Sequence, residues 1–432
     1  MKRYIYIIIG IVVAAIIAII ILFFLKGGSA LSGLLPASIT GSLPSVGTQG
    51  SNGSGGTTGF GSSTTGGTIG SIGQSGLVKS FNIVSNGPIL DYFVDTQGKI
   101  TAIQPSGEVI TVSGNQSSTI SSNQIGGIIS ASFSYDGKKI LVSFGDPSDP
   151  EAAVFDVTSS TWTALPQGLF SPQWSPSNYQ IAFLNEYGSG VAVLDTIDAT
   201  NPNKPGVTAL LSLNATDLSL QWISKNQFVL SDKPSVQTTG SSWLYNSQSK
   251  TLVPIEYEML GPESVWDESA TTTLGLAYFE TSNSQRLKLQ LVDASGNDVH
   301  DLSFLTLPTK CLFNDQTSTV ALATTTSALA TTTASSSPAV AASTVTSTPF
   351  LYCGVPSDPN QLSSAQLPDD YNDGALFTSD EIIKLNADTG ALSTLWNDST
   401  QNVDATDLKF FNNSLFLINR YDQKLYSLTF AQ

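Results

Sequence analysis

Phe133-Ser134-Tyr135-Asp136-Gly137-Lys138-Lys139-Ile140 compresses a strand end, a polar turn and the start of a second strand into eight residues. Asp and Gly tolerate the positive φ angles that a tight reversal demands, and the flanking residues alternate as a half-buried strand does. An aromatic residue just ahead of a polar turn recurs along the chain, at Tyr92, Phe133, Trp174, Trp222, Trp266, Phe313 and Phe410. The intervals are 41, 41, 48, 44, 47 and 97 residues. The last is double because it holds a Ser/Thr/Ala tract, Thr317 to Thr348, and a second long loop, Pro356 to Phe377.

Each unit also ends in a similar way, with an apolar strand, a polar turn and a short final strand. Val154-Phe155-Asp156-Val157, Val193-Leu194-Asp195, Trp243-Leu244-Tyr245-Asn246 and Leu291-Val292-Asp293 mark these ends. A unit therefore reads strand a, turn, strand b, loop, strand c, turn, strand d. A period of 40–50 residues with several strands per unit is that of a β-propeller. The expected class is all-β, with seven blades fitting best and six less well, because the unit around Tyr92 is short. The chain stops after what reads as strand c of the last unit, Lys424 to Phe430. The apolar run Val78 to Val84 is expected to supply the missing outer strand, which would cover two open sheet edges.

The Phe133–Ile140 stretch resembles the repeat signature of TolB-type, WD40-like bacterial propellers. Trp174-Ser175-Pro176-Ser177-Asn178 is a second copy, and Tyr135 stands where Pro is usual. Through Lys310-Cys311, Leu351-Tyr352-Cys353 and Leu367-Pro368-Asp369-Asp370-Tyr371 the chain is also similar to uncharacterised single-span bacterial propeller proteins. The resemblance covers residues 78–432. It implies a binding or scaffold role and brings no catalytic motif with it.

Near the N-terminus, Tyr4 to Leu25 is an uncharged apolar run of 22 residues. A helix needs about 20 such residues to cross a bilayer. Lys2 and Arg3 precede it, so the positive-inside bias puts the N-terminus in the cytoplasm and the remainder outside. Residues 1–26 are thus read as a single-pass anchor in the cytoplasmic membrane. A cleaved signal peptide cut near Gly28-Ser29-Ala30 is the alternative, although signal cores are usually about 7–15 residues long. Residues 27–77 are rich in Gly, Ser and Thr and nearly free of charge. Such a tract cannot bury enough surface to offset its ordering entropy and is expected to be a disordered stalk. Residues 78–432 form the expected propeller domain, carrying the low-complexity insertion 317–348.

The 432 residues carry 18 Lys and Arg against 34 Asp and Glu, a net charge of −16. That balance argues against a nucleic-acid partner, whose affinity comes from basic surface. A single His, His300, and two Cys exclude a multi-histidine metal site and a four-ligand structural zinc.

Cys311 falls on strand a and Cys353 on strand b of the sixth unit, with the Ser/Thr tract between them. With the tract looped out, the two face each other across one hairpin, and an exported compartment would oxidise them to a disulfide. Two buried free thiols are the alternative. Acidic residues gather in the b–c loops, at Asp146, Asp149, Glu151, Glu186, Asp232, Glu280, Asp358, Asp369, Asp370, Asp373, Asp380 and Glu381. These loops share one propeller face, so an acidic rim suited to a cation or a basic partner is expected. Its densest cluster, Asp369, Asp370 and Asp373, is a candidate calcium site lacking the EF-hand spacing, with solvated loop carboxylates as the plainer reading. No other cofactor is implied.

Trp174, Trp222 and Trp266 could stack sugars, but their equivalence across units reads as wedges between blades. Trp162 and Trp396 fall on outer strands. His300-Asp301 lies in what reads as a polar turn, with no Gly-x-Ser-x-Gly elbow anywhere near a strand-to-helix turn. The expected function is a non-catalytic scaffold of the cell envelope that binds an envelope protein or glycan. Two alternatives stay open: a carboxylate-based carbohydrate-active enzyme, for which no acid pair stands out, and a structural spacer.

Overall fold

A computed structural model describes residues 78–431 apart from 114–115, 188–189, 201–205, 268–273, 282–285, 322–342 and 364. The expected span 4–25 and stalk 27–77 lie outside these residues. Among the described residues no helix is long and apolar enough to cross a membrane.

The described chain is almost entirely antiparallel sheet, in four-stranded units that follow one another along the sequence. Unit one is β2 (Asp91–Val94), β3 (Ile100–Ile103), β4 (Val109–Ser113) and β5 (Gln116–Ser121). Unit two is β6 (Ile128–Phe133), β7 (Lys139–Asp146), β8 (Asp149–Asp156) and β9 (Thr161–Ala164). Unit three is β10 (Phe170–Trp174), β11 (Gln180–Tyr187), β12 (Val191–Asp198) and β13 (Thr208–Leu213).

Units four and five share one seven-stranded sheet: β14 (Leu218–Ser224), β15 (Gln227–Asp232), β16 (Thr239–Asn246), β17 (Thr251–Trp266), β18 (Leu274–Thr281), β19 (Arg286–Asp293) and β20 (Asp298–Asp301). The long β17 serves both units. Its first part pairs with β16 as an outer strand, and its second part pairs with β18 as an inner strand, with a bulge between Leu260 and Glu263. Gly261 takes φ +60° at that crossover, where a Cβ would sit 2.9 Å from Pro368 Cδ. Unit six is β21 (Cys311–Ala321), β22 (Ser343–Pro356), β23 (Asp380–Asn386) and β24 (Leu392–Trp396).

Unit seven is β25 (Ala405–Phe411), β26 (Ser414–Asn419) and β27 (Lys424–Phe430), completed by β1 (Val78–Ile83) from the other end of the chain. β1 pairs antiparallel with β27 from Val78↔Phe430 to Ile83↔Tyr426, the outer-strand role expected of the apolar run Val78 to Val84. Phe81 anchors it, stacked 4.7 Å from Trp396 and 5.1 Å from Tyr426.

The apolar residues form a ring of cores rather than one centre. Separate buried clusters join units one and two, two and three, three and four, four and five, five and six, and six and seven. A further cluster joins unit seven to unit one, with Ile418 and Leu425 against Ile89, Tyr92 and Ile110. Each sheet is therefore buried on both faces, and the sequence of junctions returns to its start. That is the packing logic of a β-propeller.

The Phe133–Ile140 stretch shows how neighbouring units lock. Gly137 N donates to Ser134 O at 2.9 Å and Ser134 N to Lys139 O at 2.8 Å, closing the turn. Gly137 has φ +70°, and a Cβ there would fall 2.1 Å from Phe93 Cδ1 of unit one. On the other side, Tyr179 Oη of unit three donates to Asp136 Oδ2 at 2.7 Å. One turn thus touches both neighbours.

Several expectations change. Tyr92 lies mid-strand, and Val94 is the residue ahead of the Asp95–Lys99 turn, so the repeat is out of phase in unit one. Thr317–Ala321 and Ser343–Thr348 are not loop: they are paired in register from Gln316↔Thr348 to Ala321↔Ser343. The hairpin ladder started by the cysteines simply continues into the tract, since Thr and Val suit strands. His300-Asp301 is not a turn but part of β20, with His300 opposite Leu291.

Candidate functional site

In each unit the b–c and d–a connections emerge on one end of the ring, and the a–b and c–d turns on the other. β1 begins on the a–b end. The candidate acidic residues belong to the b–c end.

Asp146, Asp149 and Glu151 sit exposed on the β7–β8 hairpin. Asp146 accepts bonds from Ser148 N at 2.9 Å and Ser148 Oγ at 2.8 Å, which hold its carboxyl below the usual range. Glu186 is on β11 and Glu280 on β18, with side chains outside the described part. Asp232 accepts Ser241 N at 2.8 Å, and Asp358 accepts Asn360 N at 3.0 Å. Glu381 accepts Asn397 Nδ2 at 3.1 Å.

The loop from Pro356 to Phe377 folds into two short helices, α1 (Asn360–Ser363) and α2 (Asp369–Asn372). It reaches over unit five to unit four, where Asp369 Oδ2 accepts Val236 N at 2.6 Å. Asp370 Oδ2 instead accepts Gln366 N at 2.7 Å, and Asp373 is exposed beyond the end of α2. The two partnered carboxylates thus fasten different segments of backbone rather than converging. Among the described residues no group of three or more His, Cys, Asp or Glu is placed to hold a metal ion.

Asp380 requires a correction: it is not on the rim but buried, 5% exposed. It meets Lys310 Nζ at 2.8 Å, and Lys310 also meets Asp404 Oδ1 at 2.8 Å and the Thr378 hydroxyl. Ala405 N donates to Asp380 Oδ2 at 2.7 Å. Arg420 Nη1 donates to Asp404 Oδ2 at 3.0 Å, and Tyr371 Oη to Asp404 Oδ1 at 3.0 Å. Two cations and two carboxylates balance at the junction of units six and seven. Burial is the main influence raising the Asp380 carboxyl and the Tyr371 phenol; Lys310 opposes it at Asp380, and Arg420 at Tyr371. Lys310 and Tyr371 stood in the family-like segments, but their joining with Asp404 and Arg420 spans three loops and had no sequence signal.

Cys311 and Cys353 are directly opposed across β21 and β22, with Cα atoms 4.1 Å apart, and are joined as a disulfide. Trp174, Trp222 and Trp266 are buried in three different inter-unit cores, and their indole nitrogens donate to Ser132 O, Ser224 O and Ser264 Oγ. Trp396 is buried by Phe81, whereas Trp162 packs on Phe155.

The inner strands enclose cavities. One, about 760 Å³, is lined by Asp91, Phe93, Phe133, Asp267, Phe313, Asp315, Asp407 and Lys409, among others. Lys409 Nζ contacts Asp91 Oδ1 and lies 3.4 Å from Asp407 Oδ1; it also donates to Tyr92 O at 2.5 Å. Tyr92 Oη donates to Asp407 O at 2.7 Å, so the same group closes unit seven onto unit one. Asp407 holds φ +48° within the β25 bulge between Thr406 and Lys409. Burial, with Asp91 adding repulsion and Lys409 opposing both, raises its carboxyl to about 7. This is the acid pair that no sequence pattern could select, because its members are 316 positions apart.

Two further glutamates, Glu256 buried and Glu263 half-buried, carry no sequence signal. Glu256 is 4% exposed; its Oε2 lies 3.5 Å from Ser242 Oγ and its Oε1 has no partner. Burial pushes its carboxyl up to about 8. Glu263, on the inner half of β17, is pushed up to about 7 by burial, with Thr309 opposing.

No protein-family model and no curated protein matches the chain. Among solved structures it is similar to an oligogalacturonate lyase in complex with manganese, at 9% identity over 80% of this chain and 90% of that one, with a TM-score of 0.48. It is similar to TolB from Acinetobacter baumannii at 11% identity, over 79% of this chain and 62% of that one, with a TM-score of 0.33. It is similar to the tricorn protease at 10% identity over 82% of this chain, with a TM-score of 0.44, and spans only 34% of that protein's length. The fold assignment itself rests on the strand order and the ring of cores: the described chain is a β-propeller.

Proposed function

We propose that this is a seven-bladed propeller held outside the cytoplasmic membrane by residues 1–26, acting as a non-catalytic binding scaffold of the cell envelope. The observation that carries this reading is the opposition of the two ends of the ring. The chain enters the propeller at Val78 on the a–b end, whereas the exposed carboxylates Asp146, Asp149, Glu151 and Asp373 belong to the b–c end. The acidic loops thus lie on the end of the propeller away from the chain's entry at Val78, and an acidic surface favours a basic partner.

The test uses the full chain in detergent as bait on solubilised envelope, with crosslinking and mass spectrometry. The control carries Asp146→Asn, Asp149→Asn, Glu151→Gln and Asp373→Asn. A saturable partner captured by the native chain and lost with the control supports the reading. The same proteins on both, in the same amounts, defeat it and favour the spacer alternative.

A second reading has its own observation. Asp91, Asp407 and Lys409 bring two carboxyls with different environments to one cavity, a combination that suits acid–base chemistry on a glycan. Turnover of a wall glycan by the native chain, abolished by Asp407→Asn, would establish it.

A further inference from the structure

We propose that Phe377 and Tyr421 form a docking platform on the b–c end for a cationic polypeptide segment, an Arg- or Lys-rich stretch of a partner protein. This rests on the scaffold reading and names its anchor. The two rings come from different units, Phe377 from the long loop of unit six and Tyr421 from the β26–β27 turn of unit seven. Their ring centroids lie 5.3 Å apart with the planes tilted by 30°, yet the two residues remain 40% and 46% exposed. Large exposed aromatics held together in this way are characteristic of binding anchors.

The pair is built rigidly. Arg420 lies with its guanidinium carbon 4.8 Å from the Phe377 centroid and 3.7 Å from that of Tyr371. It donates to Leu376 O at 3.2 Å, Tyr371 O at 2.7 Å and Asp404 Oδ2 at 3.0 Å. Those bonds fix the backbone on both sides of the platform onto the buried Lys310–Asp380–Asp404 group. A platform already ordered gives up little entropy when a partner arrives.

Charge selects the partner. The cations beneath the rings are matched by Asp380 and Asp404, and half-buried Asp422 lies 3.9 Å from Lys424 and accepts the Tyr426 hydroxyl at 2.8 Å, which leaves exposed Asp373 as the carboxylate of the surrounding loops with no cation beside it among the described residues. Aromatic faces beside carboxylates attract guanidinium and ammonium groups. A neutral sugar would need a set of directed donors and acceptors around the rings. The adjoining segment Asp373-Gly374-Ala375-Leu376 offers one polar side chain.

The experiment measures binding of three probes to the intact chain in detergent micelles at physiological salt: a labelled hexa-arginine peptide, its hexa-citrulline counterpart, and chitohexaose. Citrulline keeps the shape and removes the charge. The hexa-arginine peptide is expected to bind at least tenfold more tightly than the citrulline peptide. The double variant Phe377→Leu, Tyr421→Leu keeps apolar bulk and removes the π faces; it is expected to bind hexa-arginine about tenfold more weakly. Tyr421→Phe is expected to bind like the native chain. Equal hexa-arginine affinity in the double leucine variant overturns the platform and leaves the scaffold reading intact. Chitohexaose binding with no preference for arginine over citrulline overturns the choice of partner. Failure of the scaffold reading shows separately, as the absence of any saturable envelope partner.

Discussion

Glu256→Gln isolates a buried acid that faces no cation among the described residues. In the folded chain the carboxyl lies between β16 and β17 with one oxygen unpartnered, and it ionises only near pH 8 against an ordinary 4.5. Below about pH 4.5 both folded and unfolded states carry the proton, and Glu256 adds no pH dependence. Between that point and pH 8 only the unfolded state releases it, so stability falls as pH rises, and the loss is complete above the folded value. Each pH unit in this window costs about 1.4 kcal/mol, so the whole interval amounts to roughly 3–6 kcal/mol. Glutamine has nearly the same shape and no proton to lose. It still buries a polar group without a full set of partners, a fixed cost of about 1–3 kcal/mol at every pH. Urea unfolding, followed by fluorescence of the six tryptophans, should be run from pH 5 to pH 9 on both chains. The variant is expected to be slightly less stable at pH 5, to cross the native curve, and to be the more stable protein at pH 9. Parallel curves with a constant offset would refute the reasoning, since they would mean that Glu256 ionises alike in both states.

Replacing Lys310 by Met should cost about 3–5 kcal/mol, because it leaves Asp380 and Asp404 sharing one buried site with only Arg420 as counter-charge; chemical denaturation measures this. Reduction of the Cys311–Cys353 disulfide should lower unfolding free energy by about 2–4 kcal/mol, with native-chain denaturation curves compared with and without reductant. Phe81→Ala should cost about 1–3 kcal/mol and raise the unfolding rate by opening the strand that completes unit seven; stopped-flow fluorescence reads it through Trp396, which Phe81 covers.

The repeat was legible because it is local. A hairpin such as Phe133–Ile140 carries its own turn chemistry and strand alternation, so neither needs a distant residue. The same holds for the outer strand at Val78 and for the opposed cysteines, where counting strands was enough. The phase error at Tyr92 marks the limit of that method. Tyr92 looks like the repeat's aromatic, but its position is decided by the unit seven junction, where its hydroxyl bonds Asp407 O.

The acidic rim was legible in part. Exposure follows from hairpin position at Asp146, Asp149 and Glu151. Asp380 fails because the nearest cation, Lys310, lies 70 positions away in sequence and beside it in space. Composition and periodicity by themselves determined the class of fold, the direction in which the ring closes, and the charge of its loops, since these depend on neighbours along the chain. Only the tertiary structure decided which carboxylates are buried, which pair with cations, and which two aromatics meet in the open. Burial and ion pairing arise between blades, where residues hundreds of positions apart share one dielectric environment, and no pattern along the sequence records it.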